Sequence, residues 1–280
     1  MLELEHGFRV VDVNARFPTG EGTWPRTPRR GVSPDRLERE MHQAGVVRAV
    51  VSPQPDSEGD YLQANNNVAR QSVDRPFVAF ARINGPRRVG SDPADRARNL
   101  IARRGDGHTS PADVEQYAYD DRFRGFAIDP AVDGVPDEAV LDRLEDVDLP
   151  VYVTAGVDAP PSALTDSILT RSFPVIVGHF GGHPLDRSLM NETIDLLSEY
   201  DRWYLDTSFV RYREVLERAL LEHPDRVLFG TGTPACHPNV AVMELLTLDV
   251  SEDLLRRAFA KNATRVVDSL APDYGSTIGP

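Results

Sequence analysis

His179 is the residue in this sequence with the clearest potential for chemistry. It ends an apolar run and is followed by Phe180-Gly181-Gly182-His183-Pro184. A pair of glycines lets the backbone approach a ligand closely, because neither residue carries a side chain. An imidazole beside such a turn can serve as a general acid or base. The pattern therefore predicts that His179 is a catalytic residue.

Asp206 and two arginines also lie at the ends of apolar runs. Asp206 is predicted to be the electrostatic partner of His179. Arg16 and Arg82 are predicted to hold a carboxylate, because a guanidinium matches the bidentate geometry of that group. A simpler interpretation stays open, in which His179 only caps the core and the arginines pair with Asp129 or Asp206.

A repeated pattern of short strands and helices would position these residues. The strand candidates are continuous, rich in Val, Ile and Phe, and typical of parallel strands covered on both faces. Eight such runs occur, at Phe8–Asn14, Val46–Ser52, Pro76–Arg82, Arg124–Asp129, Pro150–Ala155, Pro174–His179, Arg202–Thr207 and Arg226–Thr231. Helical patterns lie between or after them, at Pro34–Ala44, Tyr61–Val73, Asp137–Asp146, Leu185–Tyr200, Arg213–Glu222, Asn239–Leu246 and Ser251–Ala260.

This alternation predicts an α/β protein with the (β/α)8 TIM-barrel fold, in which active sites lie at the C-terminal ends of the strands. We expect residues 1–280 to form one domain. The stretch Gly85–Tyr119 is rich in Gly, Pro, Arg and Asp and is expected to be an irregular or short helical insertion. The loop Phe17–Val32 could serve as a lid or a partner contact, and the tail 272–280 is expected to be frayed.

The charge composition narrows the partners and the cellular setting. The net charge is -13, and Lys261 is the only lysine among 31 strong bases. A carboxylate-rich surface keeps a protein soluble in concentrated salt, so a halophilic protein is expected; arginine displacing lysine in a GC-rich genome is the alternative. Negative charge disfavours nucleic acid and anionic membranes. With no signal-like N-terminus, no long apolar segment and one cysteine, a cytoplasmic protein without internal disulfides is expected.

Several motifs resemble the amidohydrolase-related family, in the branch that includes aminocarboxymuconate-semialdehyde decarboxylase. The resemblance extends from Val10 to about Ala271. It is carried by Leu37–Pro53, Asn65–Arg82, Gly178-His179-Phe180-Gly181-Gly182, Asp225–Pro234 and Lys261-Asn262-Ala263. It implies a TIM barrel and the activity of a hydrolase or a carbon–carbon lyase.

The resemblance also implies a metal site of four histidines and one aspartate, most of which this chain lacks. Asn14 and Arg16 stand at the positions of the His-x-His pair on strand 1. Thr154 stands at the strand-5 histidine and Gly232 at the strand-8 aspartate, whereas the strand-6 histidine is kept as His179.

This set of side chains is a poor match for a catalytic metal. Catalytic zinc needs about three protein ligands. A guanidinium ~4 Å from a divalent ion would repel it by roughly 8 kcal/mol at an effective dielectric of about 20. We therefore predict no bound metal and no cofactor, with Asn14, Arg16, Arg82 and Thr154 binding the ligand. A rebuilt site of His179, Cys236, His237 and Asp206, with His183 nearby, is the less favoured alternative.

Two functions follow from these observations. The first is an enzyme, a hydrolase or carbon–carbon lyase, that acts on a small carboxylate without the family's usual metal site. The alternative is a catalytically inactive barrel that binds an anion or a partner protein. The sequence leaves open whether the chain forms a homo-oligomer.

Overall fold

Eight parallel strands lie side by side in chain order in the computed structural model, which describes residues 3–17, 32–54, 61–89, 99 and 102–272. Each strand pairs with the next one along the chain, so the order of the strands in the sheet is the same as their order in the sequence. The strands are β1 Val10–Phe17, β2 Val46–Pro53, β3 Phe77–Arg82, β4 Phe123–Ile128, β5 Val151–Gly156, β6 Val175–His183, β7 Trp203–Asp206 and β8 Val227–Leu228.

Backbone hydrogen bonds between β1 and the segment after β8 join the two edges of the sheet. The amide of Val13 donates to the carbonyl of Phe229 at 3.0 Å, and the amide of Arg16 donates to the carbonyl of Thr233 at 2.8 Å. The amide of Gly232 donates to the carbonyl of Asn14 at 2.9 Å. The closed parallel sheet confirms the predicted (β/α)8 barrel.

Helices cover the outside of the sheet, and several begin at the capping residues expected from the sequence. Ser33 accepts a hydrogen bond from the amide of Arg36 and starts the helix before β2, with Pro34 in its first turn. The principal α-helices are Pro34–Gln43, Tyr61–Ser72, Pro111–Tyr119, Glu138–Val147, Arg187–Leu196, Arg213–Glu222 and Pro238–Leu246. Shorter α-helices are Pro130–Asp133, Pro161–Leu164, Glu252–Arg256 and Asn262–Val266. None of the helices within the described ranges combines the length and apolar character that crossing a membrane requires.

The apolar core has two layers, one inside the barrel and one between the strands and the helices. The inner layer contains Val13, Phe80, Tyr152 and Ile176 from four different strands. Residues near the C-terminus, including Leu270, pack against this inner layer. The outer layer is larger and includes Trp203 and Phe123. Packing on both faces explains why the strands are apolar without alternation.

Three differences from the predicted elements affect the interpretation. Pro111–Tyr119 is a regular helix of nine residues with a capping box between Ser110 and Asp113, where the sequence predicted irregular or short helical structure. β1 continues to residue 17 and β6 to residue 183, so Arg16 and the Gly181-Gly182 pair lie within strands. Residues 1–2, 18–31, 55–60, 90–98, 100–101 and 273–280 lie outside the described ranges. The predicted lid and the predicted frayed tail fall almost entirely on these residues.

Candidate active site

A cavity of about 510 Å³ lies at the C-terminal ends of the strands. Asn14 and Arg16 from β1, Thr154 from β5 and His179 from β6 contribute to its wall. These four residues were singled out from sequence positions up to 165 residues apart (14 to 179), and the closed barrel brings them together. Asp206 and Arg82, the other two predicted site residues, do not line this cavity.

Arg16 is held in place by a hydroxyl group rather than by a carboxylate. Its Nη2 donates to Thr154 Oγ1 at 2.8 Å, and its guanidinium carbon lies 5.7 Å from the centre of the Tyr152 ring. The side chain is half-buried. No salt bridge joins Arg16 to an acidic residue within the described part of the chain. Several of its five N–H donors can therefore reach a ligand.

His179 has a backbone conformation that few residues with a side chain adopt. Its φ is +57°, and Phe180 and Gly181 follow with φ of +51° and +71°. Three left-handed residues in succession turn the end of β6, and strain of this kind often accompanies functional sites. The imidazole is buried at the cavity wall, with its ring centre 4.8 Å from that of His183 and 5.2 Å from that of Phe209.

The contacts of the His179 ring favour a proton on one of its two nitrogens. Nδ1 lies 3.1 Å from the carbonyl oxygen of Ser208 and 2.7 Å from its Oγ. A carbonyl oxygen can only accept, so these contacts favour the tautomer in which Nδ1 donates and Nε2 accepts. Burial, together with nearby His183 and Arg16, lowers the pKa of His179 to about 3. The ring is therefore neutral near pH 7.

Asp206 lies fully buried below the cavity, where four donors surround its carboxylate. Asn14 Nδ2 donates at 3.0 Å, the Tyr152 hydroxyl at 2.8 Å and the Ser208 amide at 3.0 Å. The Ser208 hydroxyl makes the fourth and shortest contact. Burial raises the pKa of Asp206, and the hydrogen bonds act in the opposite direction. Asp206 reaches His179 only through Ser208.

Arg82 belongs to a separate buried ion pair. Its Nε donates to Asp133 Oδ2 at 3.0 Å, Nη2 contacts Asp133 Oδ1, and Nη1 donates to the carbonyl of Gln54 at 2.8 Å. The Tyr61 hydroxyl donates to the same aspartate at 2.7 Å. Arg82 is therefore already paired, and it does not line the cavity that Arg16 lines. Its partner is also neither Asp129 nor Asp206, the two residues considered from the sequence.

Sequence reasoning gave no site role to several residues that belong to this arrangement. Ser208 and Asp129 lie just after the C-terminal ends of strands, where a barrel places its active-site residues. Their place in the sequence is therefore the signal that could have assigned them to the site. Tyr152 lies in the middle of an apolar run and gave no signal. Its role depends on the barrel, which places its hydroxyl against Asp206.

The residues at the mouth do not fit a divalent metal ion. Thr154 Oγ1 already accepts from Arg16, and Gly232 supplies no side chain. A Cβ built on Gly232 would overlap the ring of Phe209. That ring therefore fills the space that a metal-ligating side chain at position 232 would need. Within the described ranges, no three side chains of His, Cys, Asp or Glu are grouped to hold a metal ion.

The alternative metal ligands have other contacts. Cys236 is buried, with its Sγ 3.5 Å from Arg211 Nη2. His237 Nδ1 accepts from the amide of Asn239 at 3.1 Å and caps the helix that follows. Neither residue lines the cavity, whereas His183 does. The four residues of the alternative site are therefore not grouped around one point.

Comparison with known proteins places this barrel in a family. The family model described as Amidohydrolase matches residues 11–268, so the chain belongs to the amidohydrolase family. No curated protein sequence matches the chain.

Solved structures share the fold at low sequence identity. 5-Carboxyvanillate decarboxylase from Sphingomonas paucimobilis is 16% identical with a TM-score of 0.64, over 94% of this chain and 99% of that chain. 2,6-Dihydroxybenzoate decarboxylase from Rhizobium is 16% identical with a TM-score of 0.63, over 92% and 98%. A probable 2-pyrone-4,6-dicarboxylic acid hydrolase from Acinetobacter baumannii, with citric acid bound, is 15% identical with a TM-score of 0.60, over 92% and 99%.

Proposed function

We propose that this amidohydrolase-family protein binds a small carboxylate in the cavity and acts on it, as a hydrolase or carbon–carbon lyase, without a divalent metal. The observation that carries the proposal is the half-buried Arg16 guanidinium, which faces the cavity and is fixed by Thr154 at 2.8 Å. A partly buried cation without a paired anion is unfavourable, and a carboxylate from a ligand would supply that anion.

The surrounding side chains support a reaction at the bound carboxylate. Nε2 of neutral His179 can accept a hydrogen bond from water or from a substrate hydroxyl. The contacts of Nδ1 with Ser208, whose hydroxyl also contacts Asp206, favour the tautomer that leaves Nε2 unprotonated. The similar structures include two decarboxylases named for aromatic carboxylates and a probable hydrolase of a dicarboxylic acid, which is consistent with a carboxylate substrate.

The binding step can be tested with benzoate and isothermal titration calorimetry. Arg16→Ala should weaken benzoate binding by about 1.5–3 kcal/mol, or roughly 10- to 150-fold, because a charge-assisted hydrogen bond is lost. Arg202→Ala is the matched control, since Arg202 pairs with Asp148 and precedes β7 at the opposite end of the barrel. Equal benzoate affinity in the wild type and Arg16→Ala would contradict the carboxylate site.

The metal-free part of the proposal has a separate test. We expect purified protein, after dialysis, to hold no stoichiometric zinc, manganese or iron by elemental analysis. Retained metal that is lost in His179→Ala would overturn this part.

A non-catalytic binding protein is the second candidate, and the burial of His179 favours it. With a pKa of about 3, His179 is a weak base at neutral pH. NMR spectra of benzoates incubated with the protein in heavy water distinguish the two functions. Product formation or carbon–hydrogen exchange supports the enzyme, whereas binding alone across a broad panel of carboxylates supports the second candidate.

A further inference from the structure

Asp129 brings a second charge into the same cavity as Arg16. It directly follows β4, and its half-buried side chain contributes to the cavity wall. Its backbone amide donates to Asp133 Oδ2 at 2.8 Å, but its carboxylate does not cap the short helix that it precedes. Within the described ranges, the Asp129 carboxylate has neither a hydrogen bond nor a salt bridge.

Arg16 and Asp129 interact electrostatically without neutralising each other in a salt bridge. Burial raises the pKa of Asp129, and the nearby Arg16 is the strongest influence that lowers it. Apolar groups, including Ala155, Ala159 and the Phe209 ring, form much of the remaining wall. The cavity wall therefore combines the cation of Arg16 and the anion of Asp129 with an apolar surface.

A second acidic residue makes the charge of the cavity more negative. Asp158 is exposed at the rim and also contributes to the wall. A ligand with two carboxylates would place one of them on Arg16 and the other near Asp129 or Asp158. Juxtaposed like charges disfavour binding. A ligand with a carboxylate alone would satisfy Arg16 and leave Asp129 without a partner.

We infer that the cavity selects a ligand with one carboxylate, bound by Arg16, and one protonated amine, bound by Asp129. This inference rests on the proposed carboxylate site and adds the second recognition point. The cavity of about 510 Å³ is within the usual range for small-molecule sites, so one aromatic ring bearing both groups can fit. The apolar wall suits such a ring.

Four probes test this inference by calorimetry on the full chain: benzoate, isophthalate, 3-(aminomethyl)benzoate and 4-(aminomethyl)benzoate. The two amines place the ammonium group at different distances from the carboxylate. For the wild type, we expect one of them to bind about tenfold more tightly than benzoate, as one additional charged hydrogen bond provides. Isophthalate should bind more weakly than benzoate.

Asp129→Asn tests the residue itself. The advantage of the amine over benzoate should fall to less than about twofold, and isophthalate should gain affinity, because the anion is gone. Asp121→Asn is the matched control: Asp121 is exposed and precedes β4 at the opposite end of that strand from Asp129, so its loss should change the amine preference by less than about twofold. The wild-type comparison of the four probes needs no variant to fold.

The outcomes separate this inference from the proposed function. If benzoate binds and Arg16→Ala weakens its binding by about tenfold or more, but neither amine binds more tightly than benzoate, the amine site is wrong and the carboxylate site stands. An amine preference that survives in Asp129→Asn also overturns the inference. If no probe binds to the wild type, both proposals fail.

Discussion

His179 stays uncharged in the folded protein over the pH range in which an exposed histidine titrates. Its folded pKa of about 3 lies well below the ordinary value of 6.5. Between these values the unfolded chain takes up a proton that the folded chain does not. The stability that a neutral His179 contributes is therefore present above about pH 6.5 and is lost as the pH falls towards 3.

Replacing His179 should reduce this dependence. From pH 7 to pH 5, the unfolding free energy of the wild type should fall by about 2 kcal/mol more than that of His179→Asn. Urea unfolding at both pH values measures the difference. Asp12 acts in the opposite direction, since burial raises its pKa to about 6 and its protonation favours the folded state. Asp12 is present in both proteins, so its contribution cancels in the comparison.

The exposed His42 provides the control for this experiment. His42→Asn should follow the wild type at both pH values, because solvent surrounds this side chain in the folded and unfolded chains. If His179→Asn has the same pH dependence as the wild type, then His179 is not held neutral by its surroundings.

The segment after β8 determines the shape of the cavity at the level of secondary structure. β8 itself is only two residues long. The chain after β8 runs beside β1, where the amide of Gly232 donates a hydrogen bond to the carbonyl of Asn14. Gly232 has a φ of +68° and packs against Phe209. A side chain at position 232 is unfavourable for two reasons. Residues with a Cβ rarely adopt this backbone conformation, and the Phe209 ring occupies the space that the Cβ would need.

Gly232→Ala should therefore lower the unfolding free energy by at least about 1–2 kcal/mol, the cost of a left-handed residue with a Cβ. The overlap with Phe209 should add to this loss. In a Phe209→Ala background the same substitution should cost less, because the ring is absent. Urea unfolding of the four proteins gives the coupling between the two sites.

Gly107→Ala is the matched control for the glycine substitution. A Cβ at Gly107 meets no atom within 4 Å, and the unfolding free energy should change by less than about 0.5 kcal/mol. Equal losses for Gly232→Ala and Gly107→Ala would mean that the turn after β8 does not require glycine.

The whole molecule carries a strong excess of negative charge. The formal net charge is -13, and the single lysine, Lys261, lies 3.2 Å from Asp253. Many arginines form surface ion pairs, such as Arg257 with Asp225 at 2.9 Å, and salt weakens these attractions. Salt also weakens the repulsion among the excess carboxylates, which acts over the whole surface.

We expect the relief of repulsion to exceed the loss of the ion pairs. The melting temperature should rise as potassium chloride increases from dilute to molar concentration, as measured by differential scanning calorimetry. Sucrose at matched water activity controls for general effects of solutes on stability. A melting temperature that stays flat or falls with salt would argue against a halophilic protein.

The amino-acid sequence by itself determined the barrel and much of the cavity wall. The eight apolar runs are parallel strands because each is buried on both faces, and their C-terminal ends meet at one end of any such barrel. That rule was sufficient to group Asn14, Arg16, Thr154 and His179 before their distances were known. One domain over residues 1–280, the absence of a cofactor and the oligomeric state remain predictions.

Only the tertiary structure decided which charged groups meet. Arg82 pairs with Asp133, 51 residues away, and Ser208 stands between Asp206 and His179. Such partners depend on where loops and neighbouring strands place individual atoms within a few ångströms, and hydrophobic periodicity carries no information at that scale. The left-handed backbone at His179 is likewise set by the packed surroundings of β6, since an isolated histidine does not favour it.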